Sequence, residues 1–149
     1  MIREPRPSDL GDLLVLMRKM HAETRFSAFS LSEERVLEAL SGFLNPENGY
    51  FGRILEVGGR VCGVFFGHCG ELWFSEELCG FDDVWYVAPE ARGCLGSVRM
   101  VREFAEWCRN KGCSAALVGV SSGVMMQRTG SLLETLGYDR IGDLYRRHF

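Results

Sequence analysis

The sequence contains no long hydrophobic run, no excess of basic residues and no paired metal-ligand motif. Its longest unbroken aliphatic stretch covers residues 13–17, which is far too short to span a bilayer. The opening residues, MIREPRPSDL, include no apolar core of a signal peptide. Seventeen basic residues against 20 acidic ones give a net charge of −3, so there is no basic footprint for nucleic acid. These absences predict a cytoplasmic protein that binds neither membrane nor nucleic acid.

The cysteines give no sign of a disulfide framework or of a metal site. The six of them form no C-x-x-C pair, and none has a histidine at metal-ligand spacing. Without a secretion signal, we expect reduced thiols that mostly serve as small hydrophobic core residues. Cys94 differs because it lies in a loop before a helix, where the helix N-terminus lowers thiol pKa values. A nucleophilic Cys94 is the weaker interpretation, since no nearby histidine could act as its base.

Hydrophobic periodicity and turn residues divide the chain into ten elements. With 149 residues, of which 46% are hydrophobic and 25% charged, we expect a single globular domain over residues 1–149. The predicted order is β α α β β β α β α β, a mixed α/β domain with one right-handed parallel crossover. The elements are expected at residues 2–4, 8–24, 30–43, 50–57, 60–68, 84–87, 97–111, 115–120, 132–136 and 138–149.

Local signals indicate where several of these elements begin. Ser8 and Thr129 are predicted helix caps, and Ser30 with Glu33 is predicted to form a capping box. Gly58-Gly59 separates two apolar strands and predicts a two-residue hairpin.

The junction between the strand at residues 84–87 and the following helix is a candidate anion site. The sequence RGCLGS at residues 92–97 directs several backbone N–H groups into one small space. The helix N-terminus adds a partial positive charge, so the loop is suited to phosphate.

Two further stretches are each open to two interpretations. Every charged residue between positions 69 and 91 is acidic. These residues form either a solvated surface or an acidic wall that attracts a cationic, amine-bearing substrate. The aromatic segment at residues 25–29 either lines a pocket or packs its two phenylalanines beneath the sheet.

Two motifs resemble those of the GCN5-related N-acetyltransferases. YVAPEARG at residues 86–93 is similar to the family motif V-x-P-x-x-R/Q-G, which precedes the pyrophosphate loop. LLETLGY at residues 132–138 is similar to the second family signature, and GDLYRR at residues 142–147 to the closing strand. The resemblance covers essentially the whole chain. It implies an α/β fold whose mixed, mostly antiparallel sheet has a central pair of splayed parallel strands flanked by helices.

The resemblance also implies an activity, the transfer of an acetyl group from acetyl-CoA to a primary amine. The acceptor would be a small molecule or a peptide, attacking directly in a ternary complex, and a homodimer would agree with the habit of the family. Loop amides would hold the pyrophosphate, the pantetheine arm would add to the central strand, and a main-chain N–H would stabilise the oxyanion. The implied cofactor-binding residues are Trp85, Tyr86, Val87, Arg92, Gly93, Cys94, Leu95, Gly96, Ser97 and Val98.

The chain departs from the family pattern in its loop and in its last helix. Leu95 and Ser97 stand where the family has glycine and Gly/Ala, and Leu133 replaces a tyrosine that protonates the leaving thiolate. Tyr145, or a water near residues 121–122, could supply that proton instead. The departures leave a second interpretation open, a catalytically degenerate module that binds acyl-CoA. A third, an unrelated phosphate-binding α/β domain, would require the second signature to be a coincidence.

The remaining site residues concern the acceptor amine. A general base must take a proton from the incoming ammonium, and Asp82 and Asp83 are the best placed carboxylates. Strand alternation sends them to opposite faces, so at most one faces the acceptor. The resemblance places His21, Glu23 and Phe26, near the end of the first helix, on the substrate side.

Overall fold

The structure is a computed structural model that describes residues 1–149, with five strands and four α-helices. The strands are β1 (Ile2–Arg3), β2 (Phe51–Val57), β3 (Arg60–Glu71), β4 (Leu78–Val87) and β5 (Ala115–Leu117). The helices are α1 (Leu10–Glu23), α2 (Glu33–Leu44), α3 (Leu95–Asn110) and α4 (Met126–Thr135). None of these helices has the length and apolar content needed to cross a bilayer.

The strands form one sheet in the order β1-β2-β3-β4-β5. The first four strands pair antiparallel, and β4 pairs with β5 in parallel through the crossover helix α3. Gly58 and Gly59 have φ values of 58° and 77°, which form the two-residue hairpin between β2 and β3. The predicted mixed α/β fold, mostly antiparallel with one parallel pair, is therefore confirmed.

The predicted last strand, residues 138–149, is wrong. These residues form no strand, and almost all of them are exposed. Arg140 pairs with Asp143, and an i, i+3 ion pair does not suit an extended strand, whose side chains alternate between faces. Arg146 Nη1 donates to the carbonyl oxygen of Arg25 at 3.0 Å, which draws the segment toward the loop after α1. As a result β5 is an edge strand, and the parallel pair lies at the side of the sheet rather than at its centre.

The three predicted helix caps are also wrong, although by only a few residues. The residues at the N-cap positions of α1, α2 and α4 are Asp9, Ser32 and Met125, in place of Ser8, Ser30 and Thr129. Ser32 Oγ accepts a hydrogen bond from the N–H of Arg35, so the N-cap lies two residues later than predicted and, with arginine at N3, the predicted capping box does not form. A 3₁₀ turn over Pro7–Asp9 carries Ser8 outside α1.

Hydrophobic clusters cover both faces of the sheet. A Cβ atom on Gly67 would lie 2.6 Å from the ring of Phe104, so glycine lets α3 lie directly on the sheet. The α3 face includes the buried residues Phe51, Phe65, Met100 and Phe104. The face covered by α1 and α2 includes Leu13, Leu16, Leu40, Val64 and Phe66.

Candidate functional site

The parallel strands β4 and β5 stop pairing before β4 ends, and we call the space beside the unpaired edge of β4 the cleft. They pair only from Cys79–Ala115 to Phe81–Leu117, while β4 continues to Val87. The backbone of residues 84–87 therefore has no partner strand on the β5 side. Asp82 Oδ1 accepts a hydrogen bond from the N–H of Gly119 at 2.9 Å, which replaces strand pairing at the point where the cleft begins.

The loop between β4 and α3 presents a row of free backbone donors. The N–H groups of residues 93–97 make no hydrogen bond within the protein, and the first turn of α3 contains no acidic residue. Cys94 is the N-cap of α3, but its side chain makes no capping hydrogen bond. Gly93 has a φ of 82°, a left-handed conformation that glycine adopts without strain. Free donors at the positive end of a helix form a site for an anion.

Arg92 ties this loop to the end of β4 and to α1. Its Nε donates to the carbonyl oxygen of Val87 at 2.9 Å, and its Nη2 pairs with the carboxylate of Glu23 in α1. The guanidinium also lies 5.8 Å from the ring centroid of Tyr86. Burial, together with the nearby Glu23 carboxylate, raises the pKa of Tyr86. Arg92 and Glu23 thus join α1 to the end of β4 and hold the loop in place.

The three departures from the family pattern have distinct surroundings. Leu95 is 84% exposed, so its side chain points away from the protein. Ser97 is partly buried in the first turn of α3. Leu133 is only 6% exposed and belongs to the core beneath α3, so the helix position of the family tyrosine offers no proton donor. Gly96 serves packing, because a Cβ atom there would lie 2.7 Å from Leu55 Cδ1.

A bulge in β4 sets the direction of the two candidate carboxylates. The register shifts between the pairs Phe66–Val84 and Gly67–Asp82, which leaves Asp83 without a cross-strand partner. Asp82 shares the α3 face with Gly67. Burial raises the pKa of Asp82, although the N–H of Gly119 opposes this shift. The bulge turns Asp83 to the α1–α2 side, where Val84 also packs, so the two carboxylates point to opposite faces as predicted.

Asp83 is paired with a histidine that the sequence did not single out. Both of its carboxylate oxygens lie within hydrogen-bonding distance of His68 Nδ1, at 2.9 and 3.0 Å. The His68 ring stacks on Phe81 with centroids 5.3 Å apart, and Tyr50 meets it edge-on at 6.2 Å. The His68 side chain is 42% exposed, so its other nitrogen can meet a ligand. A carboxylate–imidazole pair of this kind can accept a proton.

The predicted site residues His21, Phe26 and Tyr145 form no hydrogen bond with His68 or Asp83. His21 Nε2 is bonded to the carbonyl oxygen of Phe29 at 2.7 Å, and Phe26 is half exposed in a 3₁₀ turn. Tyr145 is 89% exposed in the C-terminal segment, and its hydroxyl makes no hydrogen bond.

The predicted acidic wall is partly neutralised. Glu90 pairs with Lys19 at 2.8 Å, and Glu77 accepts a hydrogen bond from Ser114 Oγ at 2.7 Å. The Ser114 hydroxyl carries no charge, so of the six acidic residues only Glu90 is paired with a lysine or arginine. Glu71 and Glu76 have neither a hydrogen-bond donor nor a cation as partner, and their negative charge is uncompensated.

Comparison with family models identifies the Acetyltransferase (GNAT) family over residues 14–131. Curated protein sequences give no significant match. An acetyltransferase from Trypanosoma brucei is similar in structure, with 20% identity, a TM-score of 0.71, and coverage of 100% of this chain and 99% of that chain. The aminoglycoside 6'-N-acetyltransferase of Acinetobacter haemolyticus has 16% identity, a TM-score of 0.72 and coverage of 100% and 97%. AAC(6')-Iy, in complex with the bisubstrate analogue CoA-S-monomethyl-acetylneamine, has 15% identity, a TM-score of 0.74 and coverage of 100% and 98%. The family match spans most of the sequence, and the chain therefore belongs to the GNAT acetyltransferase family.

Proposed function

We propose that the protein is an N-acetyltransferase that moves an acetyl group from acetyl-CoA to a primary amine. The observation that carries this proposal is the position of the free N–H groups of residues 93–97 beside the unpaired edge of β4. A pyrophosphate matches free amides at a helix N-terminus, and the amides of a pantetheine arm can add to a strand edge. The complex of AAC(6')-Iy with a CoA-containing analogue is one example of a CoA group held by this fold.

The chain's departures from the loop pattern are compatible with this cofactor. Binding relies on backbone groups at residues 84–87 and 93–97, so the side chains of the loop can vary. Leu95 projects into solvent and leaves the amides open. In this proposal Arg92 is a positioning residue, since its guanidinium is held by Val87 and Glu23 rather than turned toward the phosphates.

His68 is the proposed general base, and Asp83 orients it. With the proton of Nδ1 donated to Asp83, Nε2 is the nitrogen that accepts a proton from the ammonium of the acceptor. The freed amine nitrogen bonds to the thioester carbonyl carbon to give a tetrahedral intermediate. As the C–S bond breaks, CoA leaves as its thiolate, and the nitrogen loses its second proton to solvent, which gives the neutral amide. An unpaired N–H of β4 stabilises the negative charge that develops on the carbonyl oxygen.

The leaving thiolate places only a small demand on an acid, because a thiol has a pKa of about 8.5. Water, or Tyr145 from the exposed C-terminal segment, can donate a proton to the CoA thiolate. The burial of a leucine at position 133 is therefore compatible with turnover.

The proposed acceptor is a cationic amine, either a small molecule or the amino group of a peptide. Tyr50 and Phe81 flank His68 with aromatic surface, and Glu71 and Glu76 provide unneutralised negative charge nearby in the β3–β4 hairpin. Proteins of the same fold include an aminoglycoside acetyltransferase and a ribosomal-protein-alanine acetyltransferase, both of which act on amines.

Calorimetric titration with acetyl-CoA, with ATP as a control, tests the first half of the proposal. We expect micromolar binding of acetyl-CoA and no comparable binding of ATP, because only acetyl-CoA has an arm to pair with β4. Equal affinities, or no binding of either compound, would contradict the assignment of the cleft.

Substitution of the base tests the second half. The variant His68→Gln should bind acetyl-CoA as well as the parent protein but lower kcat/KM by about 10²–10⁴-fold, the usual contribution of a general base. His148→Gln, in the C-terminal segment, is the matched control and should retain activity. Unchanged turnover in His68→Gln would remove His68 from the mechanism and return Asp82 to consideration.

A second candidate function is an acyl-CoA-binding module without turnover. The burial of Leu133 at the place of the family's tyrosine favours it. Tight binding of acetyl-CoA with no thiol release across a broad panel of amines would identify this function.

A further inference from the structure

Three thiols converge at the C-terminal end of α3. Cys69 lies on β3, Cys108 in the last turns of α3 and Cys113 just beyond it, and their sulfur atoms all lie within 4.8 Å of one another. We propose that these three cysteines bind one thiophilic metal ion, Zn²⁺ or Cu⁺. Cys94 and Cys108 are 14 residues apart, so at 1.5 Å per helical residue this site lies about 21 Å along α3 from the phosphate loop.

The end of α3 brings two of the thiols together. Gly112 adopts a φ of 81°, the N–H of Cys113 donates to the carbonyl oxygen of Cys108, and the N–H of Gly112 donates to that of Arg109. These paired bonds form a Schellman motif, in which the side chains at the positions of Cys108 and Cys113 meet. Four residues separate the two cysteines, a spacing found between zinc ligands. The local fold therefore holds a pair of ligands in place.

The sheet supplies the third thiol. Cys69 on β3 pairs with Gly80 on β4 in the sheet register. A Cβ atom on Gly80 would lie only 2.1 Å from Cys108 Sγ, so the missing side chain is what lets that sulfur rest on the sheet beside Cys69. Cys69 Sγ and Cys113 Sγ lie 3.1 Å apart.

The arrangement fits a metal after small side-chain movements. Thiolates bound to zinc at about 2.3 Å in tetrahedral geometry are about 3.8 Å from each other, which lies between the observed limits of 3.1 and 4.8 Å. Cys69 and Cys113 are partly exposed and give an ion a route in, while Cys108 is buried. The cluster contains no fourth ligand, which suits three-coordinate Cu⁺ or Zn²⁺ completed by water. A cation is also favoured at the C-terminus of a helix.

The same short sulfur–sulfur distance would allow a Cys69–Cys113 disulfide under oxidising conditions. A disulfide uses two thiols, whereas metal binding requires all three. Replacing each cysteine separately therefore distinguishes the two chemistries.

The test uses the reduced, metal-free full-length protein titrated with Co²⁺ as a spectroscopic probe for Zn²⁺, and separately with Cu⁺ under anaerobic conditions. We expect one ion per chain and a sulfur-to-cobalt charge-transfer absorption that Zn²⁺ abolishes by competition. Cys113→Ser and Cys69→Ser should each weaken binding by at least about 100-fold, more than the loss of an outer-shell partner. Cys62→Ser, at a buried cysteine outside the cluster, is the matched control and should bind like the parent protein.

Because Cys108 is fully buried, the proposal is judged on Cys69 and Cys113, with circular dichroism confirming that each variant is folded. Absence of the charge-transfer band in the reduced parent protein, or equal binding by Cys113→Ser and Cys62→Ser, would overturn it. So would a protein that forms a Cys69–Cys113 disulfide in air, found by peptide mass spectrometry, but takes up neither ion when reduced.

Discussion

The N-cap of α3 offers a way to stabilise the protein while blocking its proposed phosphate site. Cys94 has φ −79° and ψ 157°, the extended conformation of an N-cap, but its side chain forms no capping hydrogen bond. Aspartate is among the best N-cap residues because its carboxylate accepts from free N–H groups of the first turn. Cys94→Asp should therefore raise the free energy of unfolding by about 1 kcal/mol. For a chain of this length, that corresponds to an increase in Tm of about 2–4 °C.

The same carboxylate should weaken the binding of acetyl-CoA. It occupies the amides that the pyrophosphate would use, and it adds a like charge beside the phosphates. Two unit charges about 5 Å apart repel by about 3 kcal/mol at an effective dielectric constant of about 20. Solvent screens part of this repulsion at an exposed site, so we expect the Kd measured by calorimetry to rise about 10- to 100-fold.

Cys94→Asn is the matched control, because asparagine caps equally well and carries no charge. It should raise Tm like Cys94→Asp but weaken acetyl-CoA binding less. If the two variants bind acetyl-CoA equally well, or if both bind it like the parent protein, the pyrophosphate does not lie at the start of α3.

Two further predictions concern stability. The carboxylate of Asp9 is buried and paired with Arg3 at 2.8 Å, so Asp9→Asn should lower the free energy of unfolding by about 3 kcal/mol. Arg3 holds the pKa of Asp9 below its usual value, so this stabilisation is present above about pH 4 and is lost as the pH falls further. The free energy of unfolding of both proteins can be measured by urea unfolding between pH 2 and 7. If the values for the parent and Asp9→Asn change in parallel with pH, the Asp9 carboxylate does not provide this stabilisation. Gly80→Ala should cost about 1–3 kcal/mol because its methyl group overlaps Cys108 Sγ, and an unchanged Tm would show that α3 can move aside.

The sequence correctly predicted those elements that depend only on residues adjacent in the chain, such as the β2–β3 hairpin and helix α3. The two glycines at positions 58 and 59 are sufficient for the hairpin because a tight turn requires their positive φ values. The apolar spacing of α3 predicted its length to within two residues at either end. In contrast, Ser30 lost its predicted role to Ser32, since two serines in the same loop compete for one cap.

The residues that sequence reasoning missed are brought together by long-range pairing. His68 and Asp83 are 15 positions apart and meet only because the β3–β4 hairpin aligns them and a bulge turns Asp83 toward the histidine. Neither the register nor the bulge follows from hydrophobic alternation alone. If the strands on either side of the β3–β4 loop are paired residue by residue outward from the loop, His68 falls opposite Phe81, close to Asp82 and Asp83.

The thiol cluster and the C-terminal segment illustrate the same limit. Cys69 and Cys113 are 44 positions apart, so a search for closely spaced cysteine pairs does not connect them. Residues 138–149 were predicted as a strand because they resemble the closing strand of the family, but strand formation requires a neighbouring edge. In the structure Arg146 instead binds the carbonyl group of Arg25.

The most direct test of the proposed cofactor site is to follow backbone amides by ¹⁵N NMR while acetyl-CoA is added. Assignment of the pyrophosphate to the start of α3 predicts the largest chemical-shift changes at the amides of residues 93–97. Smaller changes are expected along β4 at residues 84–87, where the pantetheine arm would pair. Hydrogen exchange at residues 93–97 should slow at the same time, because their free N–H groups gain acceptors. Saturable binding that leaves these amides unchanged and shifts others would contradict the assignment and place the cofactor elsewhere on the fold.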